Sequence, residues 1–229
     1  MYDIPMDLKW LEKEIENYEK EPVQKGLIMF YGHSLFTRWG SPKWGYRRLE
    51  DDIRAKDGSL ACVNHGFGTS TSEELLYYYD RMVRPWAPRA LVIATYCNDG
   101  MYGYDVDDIM VNIGKLCHWA RTDFPGIKLF LVQDHPRPNG KDATIRDMWN
   151  SGKQRRERYH QLLDLYAQTH EDTTVIDLWS CPELFESAED VGNFRKVRDD
   201  IFVEDKVHPN QAGYDILGPI FKKALDELL

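Results

Sequence analysis

The pairing of His33 with Ser34, at the end of the apolar run "GLIMFYGHSLF", puts an imidazole beside a hydroxyl where the chain must turn. A serine alone is a weak nucleophile and needs a neighbouring base. Neighbours in an extended chain point to opposite sides, so His33 is expected to face away from whatever partners Ser34. A second imidazole lies far along the chain in "EDKVHPNQAG", where Asp205 and His208 are three residues apart on a segment ending at Pro209. In a turn, that spacing lets the carboxylate reach the ring, fix its tautomer and stabilise the imidazolium formed when the ring takes a proton. Asn98 in "TYCNDG" and the backbone N–H groups near Gly68 and Thr69 in "NHGFGTSTS" are donors of the kind that bind a tetrahedral oxyanion. Together these are the parts for acyl transfer. Each part also has a plainer reading: Ser34, Asp205 and Asn98 as turn residues, His208 as a packing or capping group.

Apolar periodicity supplies the elements that must position these groups. Short apolar runs predict buried strands at Leu27–Tyr31, Leu60–Val63, Ala90–Tyr96, Ile127–Gln133 and Thr174–Trp179. Helical spacing falls between them: Leu8, Leu11, Ile15 and Tyr18; "TSEELLYYYDRMV", with a Ser/Thr cap before acids; Val106 to Cys117; Tyr159 to Tyr166; and Tyr214 to Leu228, bent or delayed by Pro219. Strands that alternate with helices and are apolar on both faces imply a parallel sheet covered on both sides. In such sheets sites form outside the carboxyl ends of the strands, and most of the candidates follow a strand. The segments Arg38–Lys56 and Pro136–Gly152 are expected to be loops over that end. One domain is expected over 1–229, with a helix within residues 1–20 packed on it.

In order and spacing, "YGHSLF", "NHGFGTST", "TYCNDG" and "DKVHPN" resemble the blocks of the SGNH (GDSL-type) hydrolases, from the first strand to the end of the chain. The resemblance implies a flavodoxin-like three-layer α/β/α sandwich with a central five-stranded parallel sheet, and ester hydrolysis. It implies Ser34 as nucleophile, His208 as base and Asp205 as its orienter. The oxyanion hole it implies comprises the Ser34 N–H, an N–H of the glycine block and the Asn98 side chain. Three departures stand out. His33 occupies a position that is often Asp, and Tyr96 one that is usually Gly. Thr69 stands where a glycine commonly supplies the oxyanion N–H. A β-branched residue is unfavourable there if φ is positive, which makes Gly68 the alternative donor. These departures bear on substrate scope, and short-acyl esters such as acetylated carbohydrates are the expected substrates.

The formal charge of -9 argues against nucleic acid as the main partner, and "KQRRER" (Lys153–Arg158) reads as a solvated helix face. The acidic N-terminus lacks the apolar core of a signal peptide, and no run approaches the ~20 apolar residues of a membrane span. Four widely spaced cysteines without a CxxC pair are expected as reduced thiols of a cytoplasmic protein, with Cys62 and Cys97 in strand-like runs. No metal or other cofactor is expected, the partner is a small-molecule ester, and oligomeric state is not readable. A metal-dependent phosphoesterase is the alternative, drawing on His33, His65, Asp99, Asp134, His135 and His208, all near strand ends. Two further alternatives are a longer-chain lipase or thioesterase and a non-catalytic protein on the same fold. Trp39, Trp44, Tyr102 and Tyr104 are expected mainly in packing roles, His65 and His135 in loop or pocket walls, and Arg38 in a surface salt bridge.

Overall fold

The computed structural model describes residues 7–138 and 143–229, without the side chains of 143–153 and Phe194. Residues 1–6 of the expected N-terminal helix, 139–142 of the expected loop and the Lys153 side chain therefore lie outside the described residues. A 3₁₀ turn, Leu8–Leu11, runs into α1 (Glu12–Tyr18). Then come β1 (Ile28–Gly32), α2 (Ser34–Thr37), α3 (Leu49–Asp52), β2 (Cys62–Gly66), α4 (Ser72–Met82) and β3 (Ala90–Ala94). They are followed by α5 (Cys97–Tyr102), α6 (Val106–Asp123), β4 (Lys128–Gln133), α7 (Ala143–Gln168), β5 (Thr173–Asp177) and α8 (Gln211–Ala224). The strands form one parallel sheet in the order β2-β1-β3-β4-β5. This is the doubly wound, flavodoxin-like order, a three-layer α/β/α sandwich.

Side chains alternate across the sheet. In β1, Met29 and Tyr31 join a core with Leu75, Tyr79, Ile109, Ile113 and Leu163 from α4, α6 and α7. Ile28 and Phe30 face the opposite core, with Phe36, Leu49, Tyr214, Leu217 and Phe221 from α2, α3 and α8. Trp39 is only 1% exposed and stacks on Tyr214 with ring centroids 4.9 Å apart, so it is a core residue. Pro219 lies inside α8 without ending it.

Several boundaries differ from the sequence expectation. β2 runs on through Asn64, His65 and Gly66, because the β1 ladder pairs them with Phe30, Tyr31 and Gly32. The expected Pro136–Gly152 loop is shorter, since α7 begins at Ala143, and α3 lies inside the segment expected to be irregular. Cys97 opens α5 instead of ending a strand. Among the described residues no helix is long and apolar enough to cross a membrane.

Register aligns the strand ends: Gly32 pairs with Gly66 on one side and with Ala94 on the other. A Cβ at Gly32 would lie 2.4 Å from the Ala94 carbonyl oxygen, and one at Gly66 would lie 2.5 Å from the Thr37 nitrogen. These glycines let α2 turn tightly across the sheet edge, which puts the "HS", "GT" and "CND" blocks on neighbouring strand ends.

Candidate active site

Ser34 is the first residue of α2, directly after the β1 edge, and His33 is the N-cap. The His33 Nδ1 accepts the Leu35 N–H at 3.2 Å, so the ring caps the helix and is not directed at the Ser34 hydroxyl. With Nδ1 an acceptor, the neutral ring carries its proton on Nε2, and burial pushes the His33 pKa down. The N–H groups of a first helical turn have no intrahelical acceptor, which leaves that of Ser34 pointing out of the helix.

The Ser34 hydroxyl meets His208, which arrives from the turn before α8. Ser34 Oγ is 2.8 Å from His208 Nε2, and His208 Nδ1 is 2.8 Å from Asp205 Oδ2. An ionised carboxylate only accepts, so Nδ1 carries the ring proton and Nε2 is free to accept from the serine. Burial pushes the His208 pKa down to about 4; the Asp205 bond opposes this and the Arg38 charge adds to it. The ring is neutral at pH 7, and its contact with Asp205 is a hydrogen bond. Burial raises the Asp205 carboxyl, but the backbone N–H groups of His208 and Val207 and the His208 ring outweigh it, leaving a pKa of about 2. Its Oδ1 accepts from Val207 and His208 at 2.8 and 2.9 Å. Arg38, one turn after Ser34, reaches Asp205 Oδ2 at 3.0 Å. The arrangement can take a proton from Ser34, hold it on a stabilised imidazolium and return it.

The expected oxyanion donors gather on the adjoining strand ends. Asn98 is buried, and its Nδ2 donates to the Ser70 carbonyl at 2.9 Å, tying α5 to the glycine loop. Thr69 has φ +60, the left-handed conformation that a β-branched residue resists. Its N–H has no acceptor among the described residues, whereas the Gly68 N–H donates to Glu14 Oε1 at 3.2 Å. Tyr96 also has a positive φ, +97, at the position where the resemblance calls for glycine, and its ring stacks on Tyr159 at 4.5 Å.

The residues weighed for a metal do not assemble; among the described residues no three His, Cys, Asp or Glu side chains could hold an ion. Asp99 is fully buried and accepts from Ser72 N, Thr95 Oγ1 and Tyr96 N at 2.8, 2.8 and 3.0 Å. His65 lies inside β2, packed between Tyr18 and Trp86 with Nδ1 2.9 Å from the Met82 oxygen. His135 packs on Phe202. Asp134 forms a buried pair with Arg137, whose Nη2 lies 3.1 Å from Asp134 Oδ2 and 2.6 Å from Cys97 Sγ. Arg137 and Glu14 are groups at this end that the sequence did not single out. For Glu14 the only sequence signal is its four-residue spacing from Trp10 and Tyr18.

No curated protein matches the chain. Solved structures with the same fold include a protein from Bacteroides fragilis NCTC 9343 (21% identity, covering 98% of this chain and all of that one, TM-score 0.72). A GDSL-like lipase from Bacteroides thetaiotaomicron VPI-5482 is 18% identical over 97% of this chain and all of its own, with TM-score 0.69. Axe2, an acetylxylan esterase from Geobacillus stearothermophilus, is 18% identical over 88% of this chain and 94% of its own, with TM-score 0.59. The model of the GDSL-like lipase/acylhydrolase family matches residues 30–216, so the chain belongs to that family of carboxylic ester hydrolases.

Proposed function

We infer that the protein hydrolyses short-acyl esters, such as acetylated carbohydrates, through Ser34, His208 and Asp205. The observation that carries this reading is the unbroken relay of two 2.8 Å contacts, Ser34 Oγ to His208 Nε2 and His208 Nδ1 to Asp205 Oδ2. His208 takes the Ser34 proton as Oγ attacks the ester carbonyl, then returns it to the departing alcohol. Water, activated by the same ring, then cleaves the acyl-serine and restores Ser34. The Ser34 and Thr69 N–H groups and the Asn98 amide hold the oxyanion. Thr69 is assigned because Glu14 occupies the Gly68 N–H.

Two features favour a small acyl group on a hydroxylated alcohol. Tyr96 places a stacked phenol ring where a glycine would leave space. The depression beside Asp205 is lined by Arg38, Trp44, Val203, Glu204 and Asp205, three of them charged, with the Trp44 ring held by the Arg38 guanidinium and the Lys43 amine at 4.6 and 4.8 Å. The similarity in fold to an acetylxylan esterase is in keeping with this substrate class.

The test is kinetic. On p-nitrophenyl acetate, Ser34→Ala and His208→Ala are each expected to lose about 10³-fold or more in kcat. His33→Ala, which loses a helix cap and a buried ring but no proton-transfer group, should lose far less. Equal turnover by Ser34→Ala and wild type would refute the nucleophile assignment. An acyl-length series from C2 to C12 that rises toward the long chains would refute the short-acyl assignment.

A further inference from the structure

Three residues of the N-terminal helical run, Trp10, Glu14 and Tyr18, are spaced by four and so share one face. Their contacts fall on the segment that links β2 to α4 and on the two residues that flank it, Gly66 at the end of β2 and Glu74 in the first turn of α4. The Tyr18 hydroxyl donates to the Gly66 carbonyl. Glu14 Oε1 accepts the Gly68 N–H at 3.2 Å. Trp10 Nε1 donates to Glu74 Oε1 at 2.7 Å, while Glu74 Oε2 accepts the Thr71 N–H at 2.7 Å and the Thr71 hydroxyl. The segment is thus held at Gly66, at Gly68 and, through Glu74, at Thr71. Thr69 lies between these points.

We propose that the 10/14/18 face is a positioning element for the oxyanion loop, holding Thr69 in its left-handed conformation so that its N–H is presented to the reacting carbonyl. This rests on the assignment of Thr69 as an oxyanion donor under the proposed function. A threonine at φ +60 persists only where its surroundings over-determine it, and the three contacts supply that restraint. Glu14 also removes the competing donor, because the Gly68 N–H is spent on its carboxylate. No cation pairs with Glu14 among the described residues, and burial raises its pKa. A half-buried acid bound to a single backbone N–H has little to contribute except the placement of that peptide.

The helical run is anchored independently of the loop. Leu11 and Ile15 are buried, and Arg81 of α4 binds Glu12 at 2.6 Å and Glu19 at 2.7 and 2.8 Å. Losing one contact to the loop therefore leaves the helix docked. The family match begins at residue 30, so this face lies outside the matched region.

The test uses Glu14→Ala, Glu14→Gln and Tyr18→Phe in the full chain, with two readouts. Amide hydrogen exchange of a peptide spanning 66–72 reports the restraint without reference to activity. Steady-state kinetics on p-nitrophenyl acetate report its consequence. Glu14→Ala is expected to speed exchange in that peptide and lower kcat about tenfold, below the 10²–10³-fold that follows outright loss of an oxyanion donor. KM should hold, because Glu14 does not touch the substrate and the Ser34–His208–Asp205 relay is unchanged. Glu14→Gln, whose amide oxygen can still accept the Gly68 N–H, should recover most of the loss. Tyr18→Phe should behave as a milder Glu14→Ala and carries the same test if Glu14→Ala does not fold. Unchanged exchange, unchanged kcat, or a loss shared by KM or not rescued by Gln would each overturn the proposal. A Ser34→Ala control as active as wild type would instead bring down the proposed function, with the exchange arm still reporting whether the face restrains the loop.

Discussion

At Asp205 a single carboxylate oxygen serves two donors, His208 Nδ1 at 2.8 Å and Arg38 Nη1 at 3.0 Å. The two act oppositely on the base. The carboxylate favours the imidazolium, whereas the Arg38 charge disfavours it and joins burial in keeping the ring neutral. Arg38→Met removes that charge, a lesser cause than burial, so the His208 pKa rises but stays below the ordinary histidine value. The neutral fraction then begins to fall at a higher pH than in the wild type. The ratio of kcat/KM at pH 6 to that at pH 8 is expected to be near one in the wild type, apart from the ester's own pH dependence, and lower in Arg38→Met. An identical ratio in the two proteins would leave Arg38 with a purely structural role. The sequence marks Ser34, His208 and Asp205 because their types and blocks are distinctive. It does not mark the partner of Arg38, because a guanidinium can meet any of many carboxylates and Asp205 is 167 residues away.

Among the elements, the β2–α4 connection is where local preference and required geometry conflict. Thr69 at φ +60 carries strain on the order of 1 kcal/mol, yet the group assigned a role is its main-chain N–H. Thr69→Gly keeps that N–H, relieves the strain and loses only an exposed hydroxyl bond to the Gly68 carbonyl. It should keep activity within about threefold and melt no lower than wild type, since relief of strain on the order of 1 kcal/mol offsets the added chain entropy. Thr69→Pro removes the N–H and forces φ near −65°, so activity should collapse. Collapse in Thr69→Gly as well would mean that the side chain matters, contrary to the assignment. The order of strands and helices is legible because each strand is an apolar run between amphipathic stretches. Strand ends are less so: β2 extends through the polar Asn64 and His65 because hydrogen bonding to β1, not hydropathy, defines it. The first turns of α7 are hidden for a different reason: Ile145, Met148 and Trp149 have helical spacing, but the polar run "NSGKQRRER" separates them from the apolar stripe that begins at Tyr159. Tyr96 at φ +97 is the reverse case, a positive φ that composition masks because a tyrosine stands there.

For the whole molecule, four histidines share one electrostatic fate. His65, His135, His160 and His208 are each pushed down to about 4, with burial the leading cause, against an ordinary value of 6.5. Between those two values each ring is neutral in the folded protein and protonated in the unfolded chain. The unfolded chain then binds more protons, so stability falls as pH drops from 6.5 toward 4. Each ring contributes a loss on the order of 2 kcal/mol by pH 5. Four such losses rival the whole stability of a typical domain, about 5–15 kcal/mol. Glu14, Glu21 and Asp164, whose pKa values are raised by burial, act with the opposite sign and offset part of this loss. Urea midpoints should therefore fall steeply from pH 7 through 6 to 5. The acid limb of wild-type activity should coincide with unfolding, because His208 in the folded protein does not protonate until about pH 4. His65→Gln provides the internal check. It removes one buried titrating ring that is not part of the Ser34–His208–Asp205 relay, so the slope of stability against pH should flatten by about 1.4 kcal/mol per pH unit in that window. Equal midpoints at pH 5 and pH 7, or an unchanged slope in His65→Gln, would show that these rings are not held neutral by the fold.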